Sequence, residues 1–261
     1  VVTDPRNGEI LALVSNPSYD PNLFVGGISN TEYQGLLNNP DRPLINRTTQ
    51  GLYPPASTVK PFMSVAALSE GVITANTTIH DPGWWQLPGS EKRYRDWKRW
   101  GHGKLNVTKS IVESADTFFY QVAYDMGIDR ISTWMGRFGY GEYTGIDLSE
   151  ERNGIMPTRE WKQQRYKKPW YQGDTIPVGI GQGYWTATPI QMAKALMTLI
   201  NDGQVKTPHL LYGTKLGNEM LPYVDTETRQ IGDIHSGYWE LAKYGMYGVA
   251  NFPNGTGRRS F

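Results

Sequence analysis

Ser57-Thr58-Val59-Lys60 places a hydroxyl and an amine three residues apart. On a helix that spacing sets both side chains on one face, so the amine reaches the hydroxyl within a turn. A serine oxygen is a poor nucleophile until a neighbour takes its proton. An amine can do so when desolvation or a cationic neighbour lowers its pKa from about 10.4. Tyr53-Pro54-Pro55-Ala56 ahead of the pair and Pro61 behind it start a helix here, which adds free N–H groups and the positive end of the dipole to favour an oxyanion. The tetrapeptide alone carries little weight. With 13 Ser and 12 Lys in 261 residues, S-x-x-K arises roughly 0.6 times by chance, and taken alone the pair reads as an N-cap serine and a solvated lysine.

The surrounding elements must bring further groups to that pair. Val1–Asp4 and Ile10–Ser15 read as a hairpin turned at Pro5-Arg6-Asn7-Gly8. Residues 16–50 read as a surface excursion with at most one short helix, and residues 57–70 as a buried helix stopped by Gly71. Residues 80–106 read as a long loop. Thr108–Met126 is a helical pattern interrupted at Ser114-Ala115-Asp116, which sets a second hydroxyl and a polar side chain where a cleft could use them. Asp129–Phe138 reads as a helix capped by Asp129, Thr158–Tyr166 as a short polar one, and Ser236–Tyr247 as the last. Thr188-Pro189 opens a firmly signalled helix that runs to Asn201. Just before it lies Gly179-Ile180-Gly181-Gln182-Gly183.

Composition narrows the classes. With 26 Lys+Arg against 25 Asp+Glu, no overall field favours nucleic acid or a membrane surface. No cysteine is present, which excludes thiol nucleophiles, thiolate metal sites and disulfide scaffolds. The longest apolar-rich stretch, Met192–Ile200, is far shorter than a bilayer span. The whole, 1–261, reads as one α+β domain. The sequence opens in Val1-Val2-Thr3 without a starter Met or a signal segment. It ends in the turn-like Asn254-Gly255-Thr256-Gly257-Arg258-Arg259, so it reads as a fragment.

The motifs together resemble the transpeptidase domain of class B penicillin-binding proteins. Gly8-Glu9-Ile10-Leu11-Ala12 and Pro17-Ser18-Tyr19-Asp20-Pro21-Asn22 look like its opening strands. Pro82-Gly83-Trp84-Trp85, Arg93–Trp97, Ser114–Tyr120 and Trp170–Asp174 point to its cell-elongation subgroup. The resemblance implies the penicillin-binding and serine β-lactamase-like α+β fold, an antiparallel sheet flanked by helices. It implies that Ser57 is acylated by stem peptides ending in D-alanyl-D-alanine, and by β-lactams. Lys60 is then the general base, and Ser114 relays protons toward the leaving amine. Asp116 stands where most of the superfamily has Asn, and Gly181, Gln182 and Gly183 line the substrate cleft. It further implies periplasmic work beside a SEDS-family glycosyltransferase and other elongation proteins, with the membrane reached through an upstream anchor and no nucleic acid involved.

Two features stand against a simple transfer. A carboxylate about 4 Å from Lys60 would favour the ammonium by roughly 4 kcal/mol, so Asp116 predicts a Lys60 that is protonated at rest. The family's third motif, Lys-Thr/Ser-Gly on a cleft strand, has no counterpart here. Lys206-Thr207-Pro208 carries a proline unsuited to the strand edge, and Asn254-Gly255-Thr256-Gly257 lacks the lysine. The expectation is that the motif and the later sheet strands lie beyond Phe261.

The reaction implied needs no cofactor. Asp81, Asp96 and His102, with His80 nearby, could converge on a structural zinc, although the spacing is irregular and Ala115 cannot supply a fourth ligand. The competing reading pairs Asp96 with Arg95 or Arg99 and has His102 capping a turn. Lys92–Trp100 interleaves cations and aromatics and reads as a loop held by cation–π contacts near the cleft mouth. The alternatives to a transpeptidase are a β-lactam-binding sensor or scaffold that does not turn over, and a serine β-lactamase. The last lacks a Glu-x-x-Leu-Asn loop or Tyr-Gly-Asn triplet to supply a deacylating base.

Overall fold

The structure, a computed structural model, describes residues 1–260. Asn7-Gly8 turns the chain between β1 (Val2–Thr3) and β2 (Ile10–Ala12), which pair antiparallel as expected. Gly8 sits at φ +88°, and a side chain there would strike the Thr207 carbonyl, so this turn is restricted to glycine. The other edge of the hairpin is extended by one residue: the Ile10 N–H donates to the His209 carbonyl at 2.9 Å.

Residues 16–50 hold more helix than expected: a 3-10 turn at Pro21–Phe24, α1 (Asn30–Leu37) and α2 (Arg47–Gln50). α1 has no buried residue and is defined instead by a capping box, Ser29 with Glu32. A hydrophobic period is therefore missing from it.

A 3-10 turn, Ala56–Val59, feeds α3 (Lys60–Ser69). Every residue from Lys60 to Leu68 is buried, as its lack of a polar face requires. α4 (Val107–Val112) and α5 (Asp116–Arg137) are separated at Ser114 as expected. The second break falls at Gly127, whose φ of +72° leaves the helical region. Asp129 is therefore inside the helix rather than its cap, and its carboxylate pairs with Arg159 at 2.9 Å. α3 lies against α5 and α9 (Ser236–Asn251). α9 approaches α4 closely because Gly245 and Gly248 face it: a Cβ on Gly245 would stand 2.9 Å from Ile111.

Residues 80–106 are not a loop. β3 (Ile79–Asp81) pairs with β6 (Gly103–Leu105), enclosing β4 (Trp84–Gln86) paired with β5 (Arg93–Arg95). Each strand has three residues, and on the inner pair only Trp85 and Tyr94 turn toward the core. They pack on Tyr124 and Tyr120 of α5 with ring centroids 5.6 Å apart in both pairs. The expected cation–π contacts are present, Arg93 over Trp84 on the outer face at 4.0 Å and Lys92 over Tyr94 at 4.8 Å.

α6 (Arg159–Tyr166) begins one residue later than expected because Thr158 is its cap, and α8 (Pro189–Ile200) starts on the Thr188 cap predicted for it. α7 (Gln172–Val178) and the hairpin β7 (Gly213–Leu216) with β8 (Glu219–Pro222) are additions that the pattern does not signal. Among the described residues the strands pair only two by two, with no continuous sheet, and no helix is long and apolar enough to cross a membrane.

Candidate active site

Ser57 lies in the 3-10 turn rather than in a regular α-helix, and it is exposed. The turn is set by a close backbone crossing. Ala56 adopts φ +51° and its N–H donates to the Gly181 carbonyl at 2.9 Å. Gly181, at φ +69°, has no room for a side chain against the Ala56 backbone. Gln182 donates its N–H to the Pro177 carbonyl at 2.9 Å and is exposed. Gly183, at φ +73°, packs on the Pro177 ring. The Gly-rich segment thus joins the end of α7 to the nucleophile turn, and Gly181 acts there through backbone fit.

Lys60 opens α3 with its side chain 1% exposed. Its Nζ lies 2.7 Å from the Ser114 carbonyl oxygen, 3.0 Å from Ser114 Oγ and 2.7 Å from Asp116 Oδ1. Ser57 Oγ makes no hydrogen bond among the described residues. An ammonium satisfies these contacts with three donated bonds. A neutral amine satisfies them with two, its lone pair accepting the Ser114 hydroxyl. Heavy atoms need not move for the proton to pass between Lys60 and Ser114.

Burial pushes the Lys60 amine below its ordinary value, opposed first by the attraction of Asp116 and further by Asp96. Burial also raises the Asp116 carboxyl, opposed by Lys60. The expectation that the carboxylate alone would set Lys60 is therefore corrected. It weighed the Asp116 attraction without the cost of burying the amine, and in this pocket the loss of water is the larger effect. Replacing Asp116 by Asn removes the main group that favours the ammonium. The acid limb of a pH–acylation profile should then move to lower pH, and an unmoved limb contradicts the coupling.

Ser114 holds φ +52° between α4 and α5, a left-handed turn that non-glycine residues adopt at some cost. Several contacts fix it. The N-cap position of α5 is Ala115, which has no capping oxygen. Asp96 supplies one from the end of β5: its Oδ2 accepts from the N–H groups of Asp116 at 2.7 Å and Thr117 at 3.0 Å. The Trp97 indole Nε1 donates to the carbonyls of Glu113 at 3.2 Å and Ser114 at 3.1 Å.

The three candidate metal ligands do converge. One donor atom from each of Asp81, Asp96 and His102 lies within 4.8 Å of the others, and all three residues are buried. Asp81 Oδ2 accepts from the His102 backbone at 2.9 Å and lies 2.7 Å from His102 Nδ1. Asp81 Oδ1 accepts from Gly83 at 2.6 Å. Asp96 Oδ1 is 3.7 Å from His102 Nδ1. His102 Nε2 is buried without a hydrogen-bond partner, with Glu113 Oε2 4.0 Å away. The reading in which Asp96 pairs with Arg95 or Arg99 is excluded, since its oxygens face α5, Lys98 and His102. β3, β5 and the residues just ahead of β6 bring these groups together, which is why their sequence spacing looks irregular.

Ser57, Lys60 and Ser114 lie along a groove of about 910 Å³ with largely apolar walls, among them Tyr53, Phe62, Met192 and Leu196. The sequence contains no Lys-Thr/Ser-Gly. Lys206 and Thr207 lie on the chain beside the first hairpin, where the Thr207 N–H donates to Asp225 at 3.0 Å.

The family described as the penicillin binding protein transpeptidase domain matches residues 1–261. The peptidoglycan D,D-transpeptidase MrdA of Escherichia coli K12 is 75% identical over 261 residues, covering 100% of this chain and 41% of the relative. MrdA of Salmonella typhimurium LT2 is 60% identical over 262 residues and is covered over 42% of its length. The chain therefore spans about two fifths of the curated relatives it matches. Among solved structures, Pseudomonas aeruginosa PBP2 in complex with WCK 5153 superposes with a TM-score of 0.87 at 42% identity, over 98% of this chain and 56% of that one. Helicobacter pylori PBP2 in its complex with MreC gives 0.85 at 35% identity, over 99% and 46%. The α+β frame thus has its counterpart in solved structures along nearly the whole chain, and the chain belongs to the penicillin-binding protein transpeptidase domain family, within its PBP2/MrdA branch.

Proposed function

We propose that this chain carries the acyl-serine centre of a peptidoglycan DD-transpeptidase that cross-links stem peptides during wall elongation and is blocked covalently by β-lactams. The observation that carries the reading is the buried Lys60 amine, held between Asp116 and Ser114 at the base of the exposed Ser57 turn. Ser57 Oγ attacks the carbonyl carbon of the penultimate D-alanine while its proton passes to neutral Lys60. N–H groups at the start of the turn receive the oxyanion. As the C–N bond breaks, the proton on Lys60 moves through Ser114 Oγ to the departing D-alanine amine. The amine of a second stem peptide then attacks the ester, gives its proton back along the same path and restores the Ser57 hydroxyl.

The lysine-bearing third motif would come from residues outside this sequence and close the open side of the groove. The working partners would be elongation proteins: relatives of this fold include a PBP2 bound to MreC and a peptidoglycan synthase complex that joins polymerisation to crosslinking. A periplasmic site of action fits the peptidoglycan chemistry for which the MrdA relatives are named. The test is cross-linking by the full-length protein supplied with a nascent glycan polymer. Dimeric stem peptides that disappear with benzylpenicillin support the reading. Penicillin binding without any cross-linking favours the sensor.

The Asp81, Asp96 and His102 cluster supports a structural zinc as a second feature. Two carboxylates and an imidazole, all buried, are the right donors for it, and they would supply folding energy rather than a step of the reaction. The 2.7 Å contact between Asp81 and His102 Nδ1 is a hydrogen bond made by the atoms that zinc would use. Metal analysis of chelator-free full-length protein decides: about one zinc per chain, absent in His102→Ala, supports it, and a metal-free protein leaves a hydrogen-bonded Asp81–His102 pair with Asp96 beside it.

A further inference from the structure

We propose that Trp97 is a positioning residue for the acylation step, acting on the Lys60–Ser114 pair through the Ser114 carbonyl. The proposal rests on the acyl-serine reading above. The Ser114 carbonyl oxygen receives two donors, Lys60 Nζ at 2.7 Å and Trp97 Nε1 at 3.1 Å. Trp97 also holds the neighbouring Glu113 carbonyl at 3.2 Å, so one indole N–H bridges both peptide oxygens of the turn in which Ser114 takes φ +52°.

The ring is itself fixed. Its face meets His102 edge-on with centroids 5.5 Å apart. Its neighbour in sequence, Asp96, caps α5 through two N–H groups. Despite these ties Trp97 remains 58% exposed, so it adds little to the core. A tryptophan left more than half exposed beside the catalytic serines is poorly explained by packing.

The physical consequence concerns the proton on Lys60. A carbonyl with one lone pair already occupied by an N–H offers less to a second donor, and the positive end of the indole N–H dipole points at the oxygen that would steady the ammonium. The charged groups facing Lys60 are Asp116 on α5 and Asp96 ahead of it, and both favour the ammonium. Trp97 opposes them. Without its N–H the Ser114 carbonyl binds the ammonium more strongly, less neutral amine is present near pH 7, and Ser57 is activated less often. Because this bond is present in both protonation states, only the difference in its strength between them moves that population, a fraction of an ordinary hydrogen bond and about a threefold change.

The experiment is the second-order rate of labelling by a fluorescent penicillin, measured from pH 5 to pH 10 on the full-length protein. Wild type, Trp97→Phe and Ser57→Ala are compared. Trp97→Phe keeps an aromatic ring beside His102 and removes the donor together with part of the indole, and a loss of packing alone would lower the rate equally at every pH. The expected result is labelling about threefold slower at pH 7 and converging on the wild-type rate at the alkaline end, with the acid limb moved to higher pH. This is opposite to the shift expected for Asp116→Asn. A rate lowered equally at every pH shows a merely structural role and overturns the proposal, as does an unchanged profile. Should Trp97→Phe fold poorly, replacing Trp97 by benzothienylalanine, which exchanges the N–H for sulfur in the same ring shape, gives the same two outcomes. Failure of the underlying reading is distinct: wild type is then unlabelled, or Ser57→Ala is labelled like wild type.

Discussion

Replacing Lys60 by Met is expected to slow penicillin acylation by about 10³-fold on the alkaline plateau where Lys60 is neutral, the range lost when a positioned general base is removed. The gap should narrow toward acid pH as the wild-type amine is protonated, and the acid limb itself should be lost. Methionine matches the length of the stem and fills the same buried channel, so the core of α3 is kept. What disappears is the group within 3.0 Å of Ser114 Oγ and 2.7 Å of Asp116. The variant also leaves Asp116 without its partner, and some loss of stability follows. That loss can be separated from the chemistry. Lys60→Met combined with Asp116→Asn removes the unpaired carboxylate, so thermal stability should return most of the way while labelling stays at the low level. Recovery of labelling in the double variant would show that Lys60 serves structure alone.

The second large effect lies in the cluster beneath β3 to β6. His102→Ala would leave the Asp81 and Asp96 carboxylates facing each other with fully buried side chains. Removing one member of a buried charged group costs about 3–5 kcal/mol, on the order of 10 °C in melting temperature for a chain of this size. The same variant should slow acylation, because Asp96 is held toward the N-terminus of α5 by this cluster. Asp96→Asn tests the link from the other side. Its amide keeps one oxygen for the Asp116 and Thr117 N–H groups, so acylation should fall less than in His102→Ala. Differential scanning fluorimetry with a parallel labelling assay reads both quantities, and a His102→Ala protein with unchanged melting contradicts the assignment.

How far the sequence exposes this arrangement depends on the range of each interaction. Local signals were sufficient where a few adjacent residues decide the structure. Thr188-Pro189 and Thr158 cap helices within one turn, and Asn7-Gly8 makes its own reversal. The interruption at Ser114 is legible because Ser-Ala-Asp breaks an apolar helical period. The paired strands of residues 79–105 are hidden because each has only three residues, too few for an alternation to build up. α7 is hidden by Pro177 inside it, a residue that ordinarily argues against a helix.

The site shows the same division. Ser57 and Lys60 stand together because they share one turn, and Ser114 and Asp116 because they share one break. The direction of the shift on Lys60 was misjudged, since it depends on how completely α3, α5 and the β3–β6 segment exclude water. Asp96 as the cap of α5, and Trp97 as the donor to Ser114, are contacts between elements that no local pattern records. Ala115 offers one retrospective clue. A helix that begins after a residue without a capping side chain needs its acceptor from elsewhere.

The most direct test of the central claim is peptide mapping of the full-length protein after reaction with a penicillin. The account predicts one stable acyl adduct, located on Ser57 and lost in Ser57→Ala. An adduct on Ser114, or labelling that survives Ser57→Ala, would contradict it.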